Sequence, residues 1–357
     1  MDRFRPLPTR PGLPSYATAL ALLAWVAGSP LGAQMVRIVQ TNAAGDDVHL
    51  IDPETQEVVD VIMGLPIAHG VTSAPDGSAL YFSNEVEHTL DIVSTTTFRV
   101  TRQVPLSGRP NNVAITPDGS KVYVAIRDDA TPFVDVIDTR SGTLTTRIPT
   151  LGGVHNVFIT PDGRWVVAGM IGARTLTVID TATDLPAWSM HFDGGVRPMA
   201  FETNPDGSTK RIFVQISDFH GFYVVDFERR ALVEKVQQPE LPYSRVDNDA
   251  LQGSPAHGFA ISPDGRTLWS TSKPNNHLYA YSLPDLEYLG GVEVGHHPDW
   301  LTMTPDGRFL YSANAGSNDV SVVDTSTMKE IVRIPVGQVP KRNHTAILPA
   351  RAARNPR

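Results

Sequence analysis

The stretch Val154–Asp180, VHNVFITPDGRWVVAGMIGARTLTVID, decides the fold. It contains three short β-rich runs, HNVFIT, RWVVAG and TLTVID, which are separated by a PDG triplet and by a polar loop. In such a triplet proline presets φ, aspartate bonds the local backbone and glycine accepts a positive φ, so a tight turn between two strands is expected. A second turn and a fourth strand follow, which predicts a unit of four antiparallel strands.

This unit recurs along the chain. PDG triplets begin at Pro75, Pro117, Pro161, Pro205, Pro263 and Pro305, and the third strand recurs as VHLID, LDIVS, VDVID, LTVID, FYVVD, LYAYS and VSVVD. Successive triplets are 42, 44, 44, 58 and 42 residues apart, and a repeat of this length is typical of a four-stranded propeller blade. Seven copies of the third strand predict an all-β, seven-bladed β-propeller.

The two ends of the repeat region complement each other. Residues 36–63 supply three strands with no first strand before them, whereas residues 343–348, NHTAIL, read as a first strand with nothing after it. We therefore expect the C-terminal strand to complete the first blade, which would remove open sheet edges.

Four segments carry a family resemblance. YFSN (81–84), YSAN (311–314), VDVIDT (134–139) and VSVVDT (320–325) resemble the repeats of YVTN-repeat propellers, and the likeness covers nearly all of 36–349. Families similar to this one include surface-layer and periplasmic binding propellers, and related families carry lactonase, quinoprotein and copper-histidine sites. The resemblance implies an architecture and leaves open whether this chain is an enzyme.

The N-terminal segment differs from the repeats. Basic residues precede an apolar run over 16–26, and PLGA follows as a small-residue cleavage site, which predicts a signal peptide at residues 1–33. The apolar run is shorter than the roughly 20 residues that span a bilayer, so no membrane insertion is expected after cleavage. We expect a periplasmic or secreted propeller at 34–349 and a flexible basic tail at 350–357.

Charge and cysteine content exclude several classes of function. The chain has 38 acidic and 30 basic residues and a formal net charge of -8, which argues against general binding of nucleic acid. It contains no cysteine, so disulfides, thiolate metal ligands and cysteine nucleophiles are excluded.

A column of polar residues is expected on one face of the ring. In a propeller blade the connections from fourth to first strand and from second to third strand lie on the same side, which we call the loop face. Aligning the starts of the first strands brings together seven polar residues: His69, Asn111, His155, Arg197, His257, Asp299 and His344. His297 lies just before Asp299.

The histidines of this column suggest a metal. His69, His155, His257, His297 and His344 are candidate ligands, and imidazole without thiolate suits copper or zinc. The alternative is that each histidine caps its own loop or lines a wet channel.

The same face offers candidate contacts for a small polar ligand or a protein partner. Mixed charge of this kind suits a polar or anionic molecule. The candidates are Glu85, Arg127, Arg197, Asp218, His220, Lys273 and Asp299. A long connection over 237–256 enters this face and could serve as a lid or a partner contact.

Two functions follow from these observations. The first is an exported binding scaffold that holds its ligand or partner on the loop face. The second is a metal-dependent oxidoreductase, or a lactonase-like hydrolase, that uses the histidines at the channel mouth.

Overall fold

The computed structural model describes residues 34–130, 132–241 and 254–350. The predicted signal peptide, most of the predicted tail and the middle of the long connection lie outside the described residues. Regular secondary structure in the described part is entirely β-strand. No helix there is long and apolar enough to cross a membrane.

The first three blades begin at the N-terminal end of the described chain. Blade 1 contains β1 (Gln34–Ala44), β2 (Asp47–Asp52) and β3 (Glu57–Met63). Blade 2 contains β4 (Ala68–Ser73), β5 (Ala79–Asn84), β6 (Thr89–Ser94) and β7 (Arg99–Pro105). Blade 3 contains β8 (Pro110–Ile115), β9 (Lys121–Ile126), β10 (Phe133–Asp138) and β11 (Thr143–Pro149).

The next two blades follow the same order. Blade 4 contains β12 (Val154–Ile159), β13 (Trp165–Met170), β14 (Thr175–Asp180) and β15 (Leu185–His191). Blade 5 contains β16 (Val196–Thr203), β17 (Thr209–Ile216), β18 (Gly221–Asp226) and β19 (Ala231–Gln237).

The last two blades lead to the closing strand. Blade 6 contains β20 (Phe259–Ile261), β21 (Thr267–Ser272), β22 (His277–Ser282) and β23 (Tyr288–Glu293). Blade 7 contains β24 (Pro298–Met303), β25 (Phe309–Asn314), β26 (Asp319–Asp324) and β27 (Lys329–Pro335). The final strand is β28 (Gln338–Pro349).

The predicted propeller and its closure are both confirmed. Each blade is a four-stranded sheet, and the first has the order β28-β1-β2-β3. Each innermost strand contacts the innermost strands of both neighbouring blades. These contacts include β28 of blade 1 with β4 of blade 2, so the ring is closed. These seven innermost strands surround a central channel.

Burial follows the position of a strand within its blade. The second strand of blade 3, β9, is buried on both faces, whereas the outermost strand, β11, alternates between exposed and half-buried residues. Blades stack face to face around the ring, so their inner strands are covered on both sides and need nearly continuous apolar sequence.

The PDG turns also hold neighbouring blades together. Gly163 has a φ of 71°, and a Cβ at this position would lie 2.8 Å from Pro117 in the preceding turn. Glycine is therefore required twice, for its backbone conformation and for the close approach of two turns. At the ring junction a Cβ on Gly77 would meet the carbonyl of Ile347 and then Pro349, so the closing strand takes the place of a preceding PDG turn.

A threonine that directly follows the third strand in four blades has a structural role. The threonine hydroxyl donates to the carbonyl of the PDG glycine in the same blade, which ties the two turns of that blade together. The donors are Thr95, Thr139, Thr181 and Thr325, at 2.6–2.9 Å from Gly77, Gly119, Gly163 and Gly307.

Closure depends on a long antiparallel ladder. β28 pairs with β1 from Gln34 opposite Pro349 to Ala44 opposite Gln338, with one irregularity between Thr41 and Asn42. The buried side chain of Leu348 packs in the core between blades 1 and 2, while its neighbour Ile347 is 43% exposed.

This register predicts different costs for two adjacent substitutions. Leu348→Ala should lower the free energy of unfolding by about 2–5 kcal/mol, because it leaves a cavity in the core beside the junction. Ile347→Ala, the matched control, should change it by less than about 1 kcal/mol. Urea unfolding with comparable m-values measures both. Equal losses would show that the closing strand has a different register.

Candidate functional site at the channel mouth

The predicted column is present, with one change of register. His69, Asn111, His155, Arg197 and Asp299 are each the second residue of an innermost strand. In blade 2 the residue before His69, Ala68, pairs with Asn84, and in blade 1 Pro340 pairs with Asn42 at the corresponding place. The residue after Pro340, Lys341, therefore takes the seventh position of the column. The predicted residue, His344, lies three residues further along β28.

A carboxylate orients the first histidine. Nδ1 of His69 is in hydrogen-bond contact with Oε1 of Glu85, the residue that follows β5. The other carboxylate oxygen accepts a hydrogen bond from Arg109 Nε at 2.8 Å and lies 3.9 Å from Arg127 Nη1. Burial alone would raise the pKa of Glu85, but His69 and Arg109 outweigh it and lower that pKa to about 2.

His69 is a neutral base in this setting. Burial lowers the pKa of its imidazole to about 4, although the hydrogen bond to Glu85 acts in the opposite direction. Because Nδ1 donates its proton to the carboxylate, Nε2 keeps a lone pair. That Nε2 atom is buried and has no hydrogen-bond partner within the described chain.

A second buried carboxylate, in blade 7, also has cationic neighbours. Asp299 contacts Lys273 Nζ and lies 2.9 Å from Lys341 Nζ. His257 donates from Nδ1 to the backbone carbonyl of Asp299 at 2.9 Å. Burial opposes ionisation, but these neighbours hold the pKa of Asp299 well below its ordinary value. Burial lowers the pKa of Lys273 to about 8.

Arg342 reaches across the channel between the two clusters. It is among the largest fully buried side chains, and its Nη2 donates to Asn111 Oδ1 at 2.9 Å and to Asn156 Oδ1 at 3.0 Å. Its guanidinium carbon lies 3.9 Å from the ring centroid of Trp300. Nε and Nη1 have no hydrogen-bond partner among the described residues, and burial lowers the pKa of Arg342 to about 9.

The contacts of Arg342 also fix a tautomer. Asn111 must present its oxygen to the guanidinium, so its Nδ2 donates to His155 Nδ1 at 3.1 Å. Burial lowers the pKa of His155, which makes the ring neutral and places its single proton on Nε2. This Nε2 is buried and has no partner within the described part. We call His69, Glu85, His155, Asp299, Lys341 and Arg342, with Lys273 and His257, the mouth cluster.

Other residues of the predicted site lie beside the cluster or outside it. Arg197 donates to Ser217 Oγ at 2.8 Å and lies in the fields of Asp299 and Asp218. His220 contacts Ser272 Oγ at 2.7 Å. His344 contacts Ser73 Oγ at 2.9 Å, and His297 is half-buried with a φ of 54°.

The five candidate metal ligands do not converge. The rings of His155 and His257 are 6.2 Å apart, while His69 and His344 have the separate partners described above. Within residues 34–130, 132–241 and 254–350, no three histidine or carboxylate side chains are placed to share an ion. A copper or zinc site stays a prediction.

Comparison with known proteins gives the family. No curated protein matches the chain. The family model described as "Lactonase, 7-bladed beta-propeller" matches residues 150–333, just over half of the chain. The chain belongs to this lactonase family of propellers. The likeness to YVTN-repeat propellers continues to rest on the sequence motifs alone.

Solved structures share the fold of this lactonase-family propeller. Hydrazine synthase of Kuenenia stuttgartiensis is 21% identical with a TM-score of 0.70, over 81% of this chain and 92% of that one. A Bacteroides fragilis protein described as a 6-phosphogluconolactonase is 17% identical with a TM-score of 0.70, over 89% and 99%. The dihydro-heme d1 dehydrogenase NirN is 15% identical with a TM-score of 0.63, over 87% of this chain and 64% of its own length. These identities support the architecture only.

Sequence reasoning missed part of the mouth of this lactonase-family propeller. Lys341, Arg342, Asn156 and Trp300 were not singled out. The sequence did contain one indication of the position of Lys341. Pro349 corresponds to the proline of a PDG triplet, and Lys341 lies eight residues before it, as Arg197 lies eight residues before Pro205. In the other blades the separation is six residues, so spacing alone did not choose between Lys341 and Asn343.

Burial of neutral histidine predicts a pH dependence of stability. Burial lowers the pKa of His344 to about 4 from an ordinary value of 6.5, so the unfolded chain takes up a proton first as the pH falls. This contribution is complete above pH 6.5 and is lost between pH 6.5 and 4, at a cost of about 3 kcal/mol. His344→Gln should remove that part of the dependence in urea unfolding at pH 7, 5.5 and 4. The exposed His296→Gln should leave it unchanged, and an identical slope in both variants would contradict the assignment.

Proposed function

We propose that this protein binds a small anionic ligand at the mouth cluster on the loop face of the propeller. The observation that carries the proposal is Arg342, a buried guanidinium whose Nε and Nη1 have no partner among the described residues. Buried charges in proteins are paired, because an unpaired ion loses its hydration and gains no interaction that offsets the loss. Within the described chain Arg342 makes no direct salt bridge, and Asp299 and Glu85 act on its charge only from a distance, so a ligand would supply the direct counter-charge.

The charge balance of the mouth supports an anion. Two buried carboxylates face five cationic side chains. The carboxylates are Glu85 and Asp299, and the cations are Arg109, Arg127, Lys273, Lys341 and Arg342. This local excess of positive charge stands in a chain whose overall charge is -8, so it is a property of the site. Guanidinium and ammonium groups of this kind suit a carboxylate or phosphate.

The neutral histidines complete the polar lining. His155 offers an Nε2–H donor, and His69 offers an Nε2 acceptor. A ligand that carries both an anionic group and a hydroxyl could use the two. We therefore specify the ligand of the proposed binding scaffold as an anion. Export of the protein is also part of the proposal.

Arg342→Gln tests the anion site. Acetate and phosphate, titrated at constant ionic strength against chloride, should raise the melting temperature of the wild-type protein, since a ligand that binds only the folded state stabilises it. Loss of a charge-assisted hydrogen bond of about 1.5–3 kcal/mol should weaken binding about ten- to a hundredfold in Arg342→Gln. Arg308→Gln, on the exposed Arg308, should bind as the wild type does. If neither anion stabilises the wild type, or if both variants respond alike, the proposal fails.

A second candidate function is hydrolysis of a lactone. The observation that favours it is the arrangement Glu85–His69, in which a carboxylate holds Nδ1 and leaves the lone pair of Nε2 unpartnered within the described residues. His69 Nε2 would take a proton from water as the water oxygen attacks the ring carbonyl. The ring C–O bond would then break, the proton would pass to the leaving oxygen, and a hydroxy acid would result. Arg342 and His155 would offer donors to the oxyanion.

Hydrolysis of δ-valerolactone in a pH-stat tests this candidate. His69→Gln should lower kcat/KM by about 10²- to 10⁴-fold, the usual contribution of a general base. The rate should also fall as the pH drops through about 4, where His69 gains its proton. His296→Gln serves as the control and should retain the full rate. A wild-type rate equal to the uncatalysed rate would remove this candidate and leave the anion site standing.

A further inference from the structure

Beneath the mouth cluster the channel contains a cavity of about 310 Å³. Its lining comes from the innermost strands of six of the seven blades, so it lies inside the ring. Arg342 is one of the lining residues and is common to the cavity and to the mouth cluster. The guanidinium, which has no salt-bridge partner within the described chain, therefore borders a space in the channel large enough for a small molecule.

The walls of the cavity combine apolar and polar groups, and two aromatic rings are prominent among the apolar ones. Phe158 and Trp300 stand with their ring planes 8° apart and their centroids 6.3 Å apart, and Trp300 also carries the guanidinium of Arg342 on its ring. Half-buried Ile115, Ile159 and Phe259 add further apolar groups to the lining. Val71, Val113 and Leu301 also border the cavity but belong to the apolar cores between blades.

Most polar groups of the lining already have partners. Asn112 donates to the carbonyl of Val157 at 2.8 Å, and the hydroxyl of Thr302 bonds that of Thr345 at 2.8 Å. His344 is in contact with Ser73. Asn343 Oδ1 has no hydrogen-bond partner among the described residues, but the charged group that lacks partners is the guanidinium of Arg342. The rings of Phe158 and Trp300 favour an apolar group on the ligand.

We infer that the ligand is a carboxylate with an apolar, ring-sized body, whose carboxylate meets Arg342 and whose body enters the channel cavity beside Phe158 and Trp300. This inference rests on the proposed anion site and names the class of ligand for it. A cavity of this size is at the lower limit for small-molecule sites, so it admits a single ring and excludes larger bodies. Bare inorganic anions and polyhydroxylated acids would leave the apolar wall without a partner.

Three probes separate the contributions of the charge and of the ring. Phenylacetate should bind the wild-type protein at least tenfold more tightly than acetate in calorimetric titration, because burial of its ring adds a hydrophobic contribution. Benzyl alcohol, which has the ring without the charge, should bind more weakly than phenylacetate by a similar factor. Phenylacetate should also change the tryptophan fluorescence through Trp300. This comparison uses only the wild-type protein and does not depend on the folding of a variant.

A pair of substitutions locates the ring. Phe158→Ala should reduce the preference for phenylacetate over acetate at least threefold and leave acetate affinity unchanged. Phe201→Ala is the matched control, because Phe201 packs against Phe158 at 6.3 Å but is not part of the cavity lining, and it should keep the preference.

The outcomes distinguish the two proposals. If acetate binds through Arg342 and phenylacetate binds no more tightly, the channel inference is overturned and the anion site stands. If phenylacetate binds but Phe158→Ala and Phe201→Ala behave alike, the ring lies elsewhere and the inference is also overturned. If neither carboxylate binds, both proposals fail together.

Discussion

The pairing of β28 with β1 holds the two ends of the propeller in one sheet. Without it, blade 1 would lack its innermost strand, and blades 7 and 2 would face an incomplete neighbour. Each propeller blade packs its apolar faces against the blades on either side. A gap at one junction therefore exposes the apolar faces of both blades that border it. Pro349 and Ile347 extend this role, because they lie against Gly77 where three other junctions have a PDG proline, as Pro117 lies against Gly163.

The closing strand also determines the electrostatics of the channel mouth. It brings Lys341 to Asp299 and carries Arg342 across the channel to Asn111 and Asn156. In this way residues from blades 1, 3, 4 and 7 meet at one point near the axis. Burial keeps the histidines neutral while the two carboxylates remain ionised, so the mouth holds cations and uncharged imidazoles side by side. A shared anion is the simplest complement to that combination.

The architecture was readable from the sequence because it is periodic. Each PDG turn and each threonine that follows a third strand repeats a local hydrogen-bond pattern, and the missing first strand of blade 1 predicted the exchange of β28. The histidine column was also readable, since equivalent positions in the repeats share one height on the ring. The site is aperiodic, and this limited the prediction. Nothing in the spacing indicated that Arg342 would span the channel.

The metal hypothesis shows the same limit. Histidines at the same height on the ring need not contact one another, because each imidazole can hydrogen-bond to a closer side chain. His69 turns to Glu85, His344 turns to Ser73, and His155 accepts from Asn111. Those partners come from the same blade or from the next one, and their identity depends on the direction and length of each side chain, which an alignment of the repeats does not show.

One consequence concerns the lifetime of the folded protein. Arg342 belongs to the strand whose departure would open the ring, yet its polar contacts lie in blades 3 and 4. A ligand bound to this guanidinium would hold the ring closed, because the ring could not open without releasing the ligand. Occupancy would then slow unfolding as well as stabilise the folded state, and the same residue would link ligand binding to the lifetime of the fold.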